Sequence, residues 1–122
     1  MVDNSFLVFF VSQDSQFARM LNDTITPLQN VILLSFNQIE ECIPFAIECP
    51  KRVIIHLNHQ KEISDTMISM INKCRQISPN TSLHFVLPNS EEFFAVEGII
   101  SESNVIFKNG DLFRELKDLI LS

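Results

Sequence analysis

Polar residues stand at the ends of four apolar runs of this chain, and their types decide which chemistry the chain can support. In chain order they are Ser12-Gln13-Asp14, His56-Leu57-Asn58, Leu87-Pro88 and Lys108-Asn109. Together they supply one carboxylate, one imidazole and one ammonium group. A Mg²⁺ site takes oxygen ligands that include carboxylates, and an acyl phosphate needs a carboxylate nucleophile. These residues therefore predict binding instead of phosphoryl transfer.

Five short apolar runs alternate with five amphipathic stretches, and this alternation must position the polar residues. The runs are Phe6–Val11, Val31–Leu34, Val53–Leu57, Leu83–Leu87 and Val105–Phe107. Continuous apolar strands are typical of parallel sheets that helices cover on both faces. Right-handed crossovers then predict an α/β fold, a doubly wound five-stranded parallel sheet in the order 2-1-3-4-5. Ligands bind such folds at the carboxyl ends of the strands, where the polar residues meet.

Capping signals and one proline set the expected helices. The first should begin after Asp14 or Ser15, the third should run from Asp65 to about Gln76, and the fifth should span about Asp111 to Leu121. In the second, Asn37 and Glu40 resemble a capping box. Pro44 falls inside that helix and removes a hydrogen bond, so we expect a kinked or late-starting helix.

Composition favours one ordinary globular domain over residues 1–122. The chain is 46% hydrophobic and 20% charged, with a net charge of −6 and nine scattered basic residues. Nucleic-acid phosphates require clustered Lys and Arg, so a direct nucleic-acid partner is not expected. Only two glycines occur, and neither belongs to a Gly-rich phosphate loop. The composition thus gives no support for a bound nucleotide or other cofactor.

The sequence predicts a cytoplasmic protein. No apolar run approaches the ~20 residues that span a bilayer, and the amino terminus lacks the basic region of a secretory signal. The three cysteines are an odd number and show neither CxxC nor Cys/His metal spacing. We therefore expect no membrane contact and no metal site.

The order and spacing of these elements resemble the receiver domain of two-component response regulators, a flavodoxin-like (βα)5 fold, over the whole chain. In that family a proline lies six residues before the phosphoacceptor aspartate at the end of the third strand. The corresponding run here is Pro50-Lys51-Arg52-Val53-Ile54-Ile55-His56. The resemblance therefore puts a histidine at the acceptor position.

The other positions of that family's phosphorylation pocket are replaced as well. The two Mg²⁺-binding acids correspond to Ser12 and Gln13, with Asp14 one place later. The hydroxyl residue of the fourth strand corresponds to Leu87, the rotating aromatic of the fifth to Val105, and the lysine to Lys108. Because only the lysine is retained, the resemblance implies a pseudo-receiver that signals without phosphorylation and is not an enzyme.

Two local interpretations of the pocket follow. His56 is expected to be a partly buried imidazole that is hydrogen-bonded to a neighbour such as Asn58 or to a backbone carbonyl. We expect it to be neutral because Lys108 disfavours its protonation. Lys108 is expected to pair with Asp14. The alternatives are a phosphorelay receiver with unorthodox chemistry at His56 or Asp14, and a small flavodoxin-like ligand-binding protein.

A fourth helix, starting near Asn89 or Ser90 with Glu91 and Glu92 in its first turn, predicts a binding surface. On such a helix Phe94 and Ile99 point away from the sheet, and Phe113 of the fifth helix could join them. Exposed large apolar side chains mark interaction sites. In the resembled family the face of the fourth helix, fifth strand and fifth helix mediates dimerisation or output contacts. We expect a protein partner or a homodimer there.

Overall fold

A computed structural model describes residues 6–28, 30–89, 93–96, 98–108 and 110–122, except for the side chains of Gln60 and Glu102. Its strands are β1 (Phe6–Val11), β2 (Val31–Phe36), β3 (Arg52–His56), β4 (Ser82–Leu87) and β5 (Val105–Phe107). All pair in parallel, in the order β2-β1-β3-β4-β5. The predicted sheet and strand order are confirmed.

Helices cover both faces of the sheet and divide the core into two layers. The α-helices are α1 (Ser15–Ile25), α2 (Ile39–Cys42), α3 (Asp65–Ile77) and α4 (Leu112–Leu121), and short 3₁₀ helices occupy Ile43–Glu48, Gln60–Glu62 and Glu102–Asn104. Alternate strand residues such as Val8 and Phe10 pack against α1 and α4. Their neighbours, such as Phe9 and Val11, pack against α2 and α3. None of the described helices is long and apolar enough to cross a bilayer.

The second helix is irregular, as Pro44 predicts. α2 has only four residues and passes into the 3₁₀ helix Ile43–Glu48, with Pro44 in its first turn. The capping box is one residue later than expected, because Gln38 is the N-cap and Glu41 reaches back to it. A proline in the first turn of a helix removes no hydrogen bond, so the chain restarts there as a tighter helix.

The fourth crossover is the connection between β4 and β5. Its described part does not form the helix that the sequence predicts. Residues 93–96 and 98–100 are not helical; Val96 and Ile100 form an antiparallel bridge. Gly98 between them has φ of 75°, a left-handed conformation that favours glycine and reverses the chain. The tight turn buries both Ile99 and Ile100 against the α3 side of the core. The helix was expected to start near Asn89 or Ser90; Asn89 is not helical, and residues 90–92 lie outside the described residues.

Candidate functional site

Ser12 and His56 meet at the carboxyl ends of two neighbouring strands. β1 and β3 pair in a register that sets Val11 beside Ile55, so the next residue of each strand is also adjacent. Ser12 Oγ lies 2.8 Å from His56 Nδ1, and both side chains are buried, with 3% and 5% of their surface exposed. A hydrogen bond thus joins the two positions that correspond to a metal-binding residue and the acceptor residue of the receiver domains that the chain resembles.

The hydrogen-bond partner of His56 is Ser12 and not Asn58, the neighbour that the sequence interpretation named. Ser12 holds the imidazole, whereas Asn58 is exposed and its backbone N–H donates to Glu62 Oε1 at 2.9 Å. Ser12 Oγ also accepts a hydrogen bond from the Asp14 backbone N–H at 3.0 Å. The other imidazole nitrogen, His56 Nε2, is buried and has no hydrogen-bond partner among the described residues.

Phe17 closes the pocket from the α1 side and is a site residue that the sequence interpretation missed. Its ring stacks on the His56 imidazole, with centroids 4.1 Å apart and planes inclined by 11°. Phe10 and Phe113 extend this aromatic cluster, with ring centroids 5.7 Å and 5.3 Å, respectively, from the centroid of the Phe17 ring. The available signal was the position of Phe17 three residues after the Asp14 cap, which turns it inward above the strand ends. The stack fixes the ring that occupies the acceptor position.

His56 is a neutral base in this setting, as predicted. Burial lowers the pKa of its imidazole, Lys108 lowers it further and Asp14 opposes the shift, giving a pKa of about 4. The physical cause is that a buried imidazolium would lose its hydration and face a cation. At neutral pH the pocket therefore contains an uncharged ring where receivers have a carboxylate.

The predicted ion pair between Lys108 and Asp14 is absent from the described structure. The Lys108 ammonium instead lies 5.2 Å from the centroid of the Phe17 ring, within the range of a cation–π contact. Asp14 Oδ1 accepts the Phe17 backbone N–H at 3.0 Å and caps α1, as expected. Capping satisfies a backbone donor that a helix cannot pair internally, and it engages one oxygen of the Asp14 carboxylate.

The remaining predicted pocket residues add no acidic or hydroxyl group. Gln13 is exposed, Leu87 is buried at the end of β4, and Val105 is partly buried at the start of β5. The Lys108 backbone N–H donates to the Leu87 carbonyl at 2.9 Å, which joins the ends of β4 and β5. Leu87 and Val105 thus contribute packing.

The fold implies a magnesium ion here, and the residues of the pocket do not fit one. Mg²⁺ prefers octahedral oxygen coordination with one or two carboxylates from the protein. Here the equivalent positions offer the hydroxyl of Ser12 and the amide of Gln13, and the Asp14 carboxylate is engaged in the helix cap. Within the described chain, no group of three or more His, Cys, Asp or Glu residues could hold a metal ion.

A cleft of about 160 Å³ with a mixed polar and apolar lining opens beside this pocket, between the starts of α2 and α3. Ser12, Gln13 and His56 line one side of it, and Gln38 and Thr66 line the other. Parallel sheets bind ligands in crevices of this kind, outside the carboxyl ends of the strands at the point where the strand order reverses. The cleft has room for a few small polar groups.

The predicted interface residues divide into exposed and buried ones. Phe94 is 49% exposed, as expected for a contact surface. Ile99 is only 6% exposed, so its predicted outward orientation is wrong, because the Gly98 turn directs it into the core. Phe113 is partly buried and its ring contacts Phe17. In the described part of this region, the surface therefore centres on Phe94.

No protein-family model and no curated protein sequence matches this chain. Solved structures match it over nearly its whole length. A pilus assembly-related protein from Burkholderia pseudomallei has a TM-score of 0.66 at 11% identity, covering 99% of this chain and 90% of that chain. The signal receiver domain of a LuxO repressor protein from Vibrio parahaemolyticus has a TM-score of 0.66 at 13% identity, covering 96% and 88%.

A third similar structure is the pilus assembly protein CpaE from Burkholderia thailandensis. Its TM-score is 0.59 at 9% identity, covering 95% of this chain and 98% of that chain. These likenesses and the sheet order establish that the chain has the fold of a signal receiver domain. At such low identities, the likenesses show the fold alone.

Proposed function

We propose that this protein is a receiver-like signalling module that works without phosphorylation, through contacts with another protein. One observation carries the proposal: the acceptor position holds His56, a neutral ring fixed by the Ser12 hydrogen bond and the Phe17 stack. Phosphoryl transfer to a carboxylate needs a charged oxygen at that point. The pocket instead offers an imidazole whose Nδ1 is already paired.

The replaced residues also remove the parts that would transmit a phosphorylation signal in the family it resembles. Leu87 has no hydroxyl to attract a phosphoryl group, and Val105 has no ring that could swing inward. A ligand or modification shifts a conformational equilibrium only through different interactions with its two states. We therefore expect the domain to present one conformation, and its regulation to depend on which partners are bound.

We infer that the partner of this module is a cytoplasmic protein that binds the face formed by the β4–β5 connection, β5 and α4. Phe94 supports this surface because it is a large apolar side chain with half of its area exposed. Aromatic residues are enriched in the energetically dominant centres of interfaces. The net charge of −6 favours a partner with a basic contact surface and disfavours nucleic acid.

Intact mass spectrometry after incubation with Mg²⁺ and excess acetyl phosphate tests the proposal. We expect no added phosphoryl mass on the parent protein or on the variant His56→Asp, because this substitution restores the nucleophile but not the metal ligands. A receiver domain with a complete acidic pocket, treated in parallel, shows that the reagent is active. A stoichiometric adduct on the parent, mapped to His56 or Asp14, would replace the proposal with unorthodox phosphorelay chemistry.

Small-molecule binding is a second candidate function, favoured by the cleft, which His56 lines, and by the buried His56 Nε2, which has no hydrogen-bond partner among the described residues. A ligand that hydrogen-bonds this atom would satisfy it. Native mass spectrometry of the purified protein, compared with denatured protein, tests this function. A co-purifying small molecule that is lost in His56→Phe supports it, and identical native and denatured masses contradict it.

A further inference from the structure

An apolar surface lies at the opposite edge of the sheet from β5. It consists of Ile32 and Leu34 on β2, and Phe45 and Ile47 on the 3₁₀ helix that follows α2. These side chains are 46%, 37%, 48% and 74% exposed, respectively. They account for half of the eight large hydrophobic residues found exposed in the described chain. We call these four residues the β2 face.

The irregular second helix explains why this face is uncovered. α2 has four residues, and the 3₁₀ helix after it contacts β2 near its carboxyl end, where Phe36 and Phe45 lie 5.6 Å apart. Ile32 and Leu34 lie nearer the amino end of the strand and remain partly open. A groove of about 530 Å³, lined by Ile32, Leu34 and the neighbouring β1 and Cys49 regions, lies beside them. The missing helical turns leave apolar surface exposed.

The outer edge of β2 is also open. Among the described residues, β2 pairs with β1 alone, on one side. Its sequence, Val31-Ile32-Leu33-Leu34-Ser35-Phe36, contains no charged residue and no proline. Proteins protect edge strands from pairing with other chains by such residues, by bulges or by a covering segment. An unprotected apolar edge is a template for pairing with another strand.

We propose that the β2 face is the contact between two copies of this chain, with their β2 strands paired antiparallel about a two-fold axis at Leu33. Antiparallel partners directly opposite each other lie on the same face of the sheet. This register sets Ile32 of each copy opposite Leu34 of the other, so each exposed side chain covers an exposed side chain. A two-fold contact uses the same patch on both copies, as a self-complementary strand requires.

Area and charge are consistent with a second copy as the occupant. The exposed parts of the four side chains amount to roughly 400 Å² per copy, about half of what each partner contributes to a standard interface. The groove and the paired strands extend the contact. Glu48 and Lys51 border the groove with opposite charges. The contact region therefore avoids the repulsion expected between two chains that each carry a net charge of −6.

Self-association goes beyond the proposed function, since it depends on neither the pocket nor Phe94. Sedimentation equilibrium from about 10 μM to about 1 mM covers the range of a weak dimer. We expect the mass of the parent to rise to twice the 14.0 kDa of one chain. We expect Leu34→Lys and Ile47→Lys to remain monomeric. The matched control is Met20→Lys, the same charge change at a 47% exposed site on α1, and it should dimerise like the parent.

The register has its own test. Ile32→Asp alone should abolish the dimer, and the double variant Ile32→Asp with Leu34→Lys should restore it, because the two-fold register sets opposite charges across from each other. A parent that remains monomeric at the highest concentration overturns the proposal. Loss of the dimer in Phe94→Ser, with Leu34→Lys unaffected, overturns it too and moves self-association to the face formed by the β4–β5 connection, β5 and α4. Neither result bears on the acetyl phosphate experiment.

Discussion

The pocket at the strand ends and the β2 face differ in how far their side chains are paired or covered by the rest of the chain. In the pocket, the hydroxyl of Ser12 pairs with the imidazole of His56, and the ring of Phe17 covers it. On the β2 face, Ile32 and Ile47 remain 46% and 74% exposed. A site that performs chemistry retains charged, reactive groups, whereas a site that binds proteins exposes apolar area. From this difference we expect the pocket to contribute to stability, and the proposed role of the β2 face is recognition.

The same contrast predicts different consequences of mutation. Groups in the pocket are packed and mutually hydrogen-bonded, so their removal should change the free energy of unfolding. Groups on the β2 face have few neighbours in the monomer, so their replacement should change association and leave the fold intact. Three experiments test this separation, in order of decreasing expected effect on stability.

Phe17→Ala should be the most destabilising. It removes a ring that is 8% exposed and contacts Phe10, His56 and Phe113. Truncation of a buried phenylalanine costs about 3–5 kcal/mol of unfolding free energy, through lost burial and the cavity left behind. Urea denaturation monitored by circular dichroism measures the loss. The control is Phe94→Ala, which should cost less than about 1 kcal/mol because half of that ring is exposed. Equal costs for the two variants would show that Phe17 is not a core residue.

Acidification should destabilise the protein through His56. Its pKa is about 4 in the folded protein and 6.5 as a free side chain, so between these values the unfolded state binds more protons. Stability is therefore fully present above about pH 6.5 and falls as the pH drops towards 4, by about 3 kcal/mol from this residue. Urea denaturation at a series of pH values measures the slope.

Two matched variants show which histidine causes the pH dependence of the unfolding free energy. His56→Gln should flatten the pH dependence between pH 6.5 and 4, since glutamine does not titrate. His84→Gln should remove a separate contribution, because burial and then Arg52 lower the pKa of His84 to about 4 at the other end of the sheet. An unchanged slope in His56→Gln would mean that its imidazole is not held neutral by the fold.

Leu34→Lys should have the smallest effect on stability, within about 0.5 kcal/mol, because a 37% exposed edge position can carry a lysine whose ammonium reaches water. The measurement is the unfolding free energy at a protein concentration low enough to keep the parent monomeric. A loss of several kcal/mol would show that Leu34 belongs to the core of the monomer and would erase the contrast with the pocket.

Strand positions could be read from the sequence, because each strand is an uninterrupted apolar run. β1 and β5 have the predicted bounds, and the others differ by at most two residues at an end. The cap at Asp14 and the disruption at Pro44 were also predictable, since both follow from local hydrogen bonding. The described part of the fourth crossover, between β4 and β5, could not be predicted from the sequence. The spacing of Phe93, Val96 and Ile100 fits a helix, but Gly98 adopts a left-handed conformation and forms a turn.

Within the site, the sequence predicted which residue types meet but not how they pair. Alignment of the strand ends was enough to bring Ser12, His56 and Lys108 together. The choice of Ser12 over Asn58 as the partner of His56 depends on the β1–β3 register, which connects residues 44 positions apart. The position of Lys108 over Phe17, instead of beside Asp14, depends on how α1 packs above the sheet.

The sequence by itself determined the sheet, its strand order and the loss of acidic residues from the pocket, because apolar periodicity and residue type are local properties of the chain. Only the tertiary structure decided that His56 is held by Ser12 and Phe17, that Ile99 is buried and that the β2 face is open. Each of these depends on contacts between residues distant in the chain or on how much of a strand a neighbouring helix covers. The local pattern of residue types along the chain does not specify such contacts.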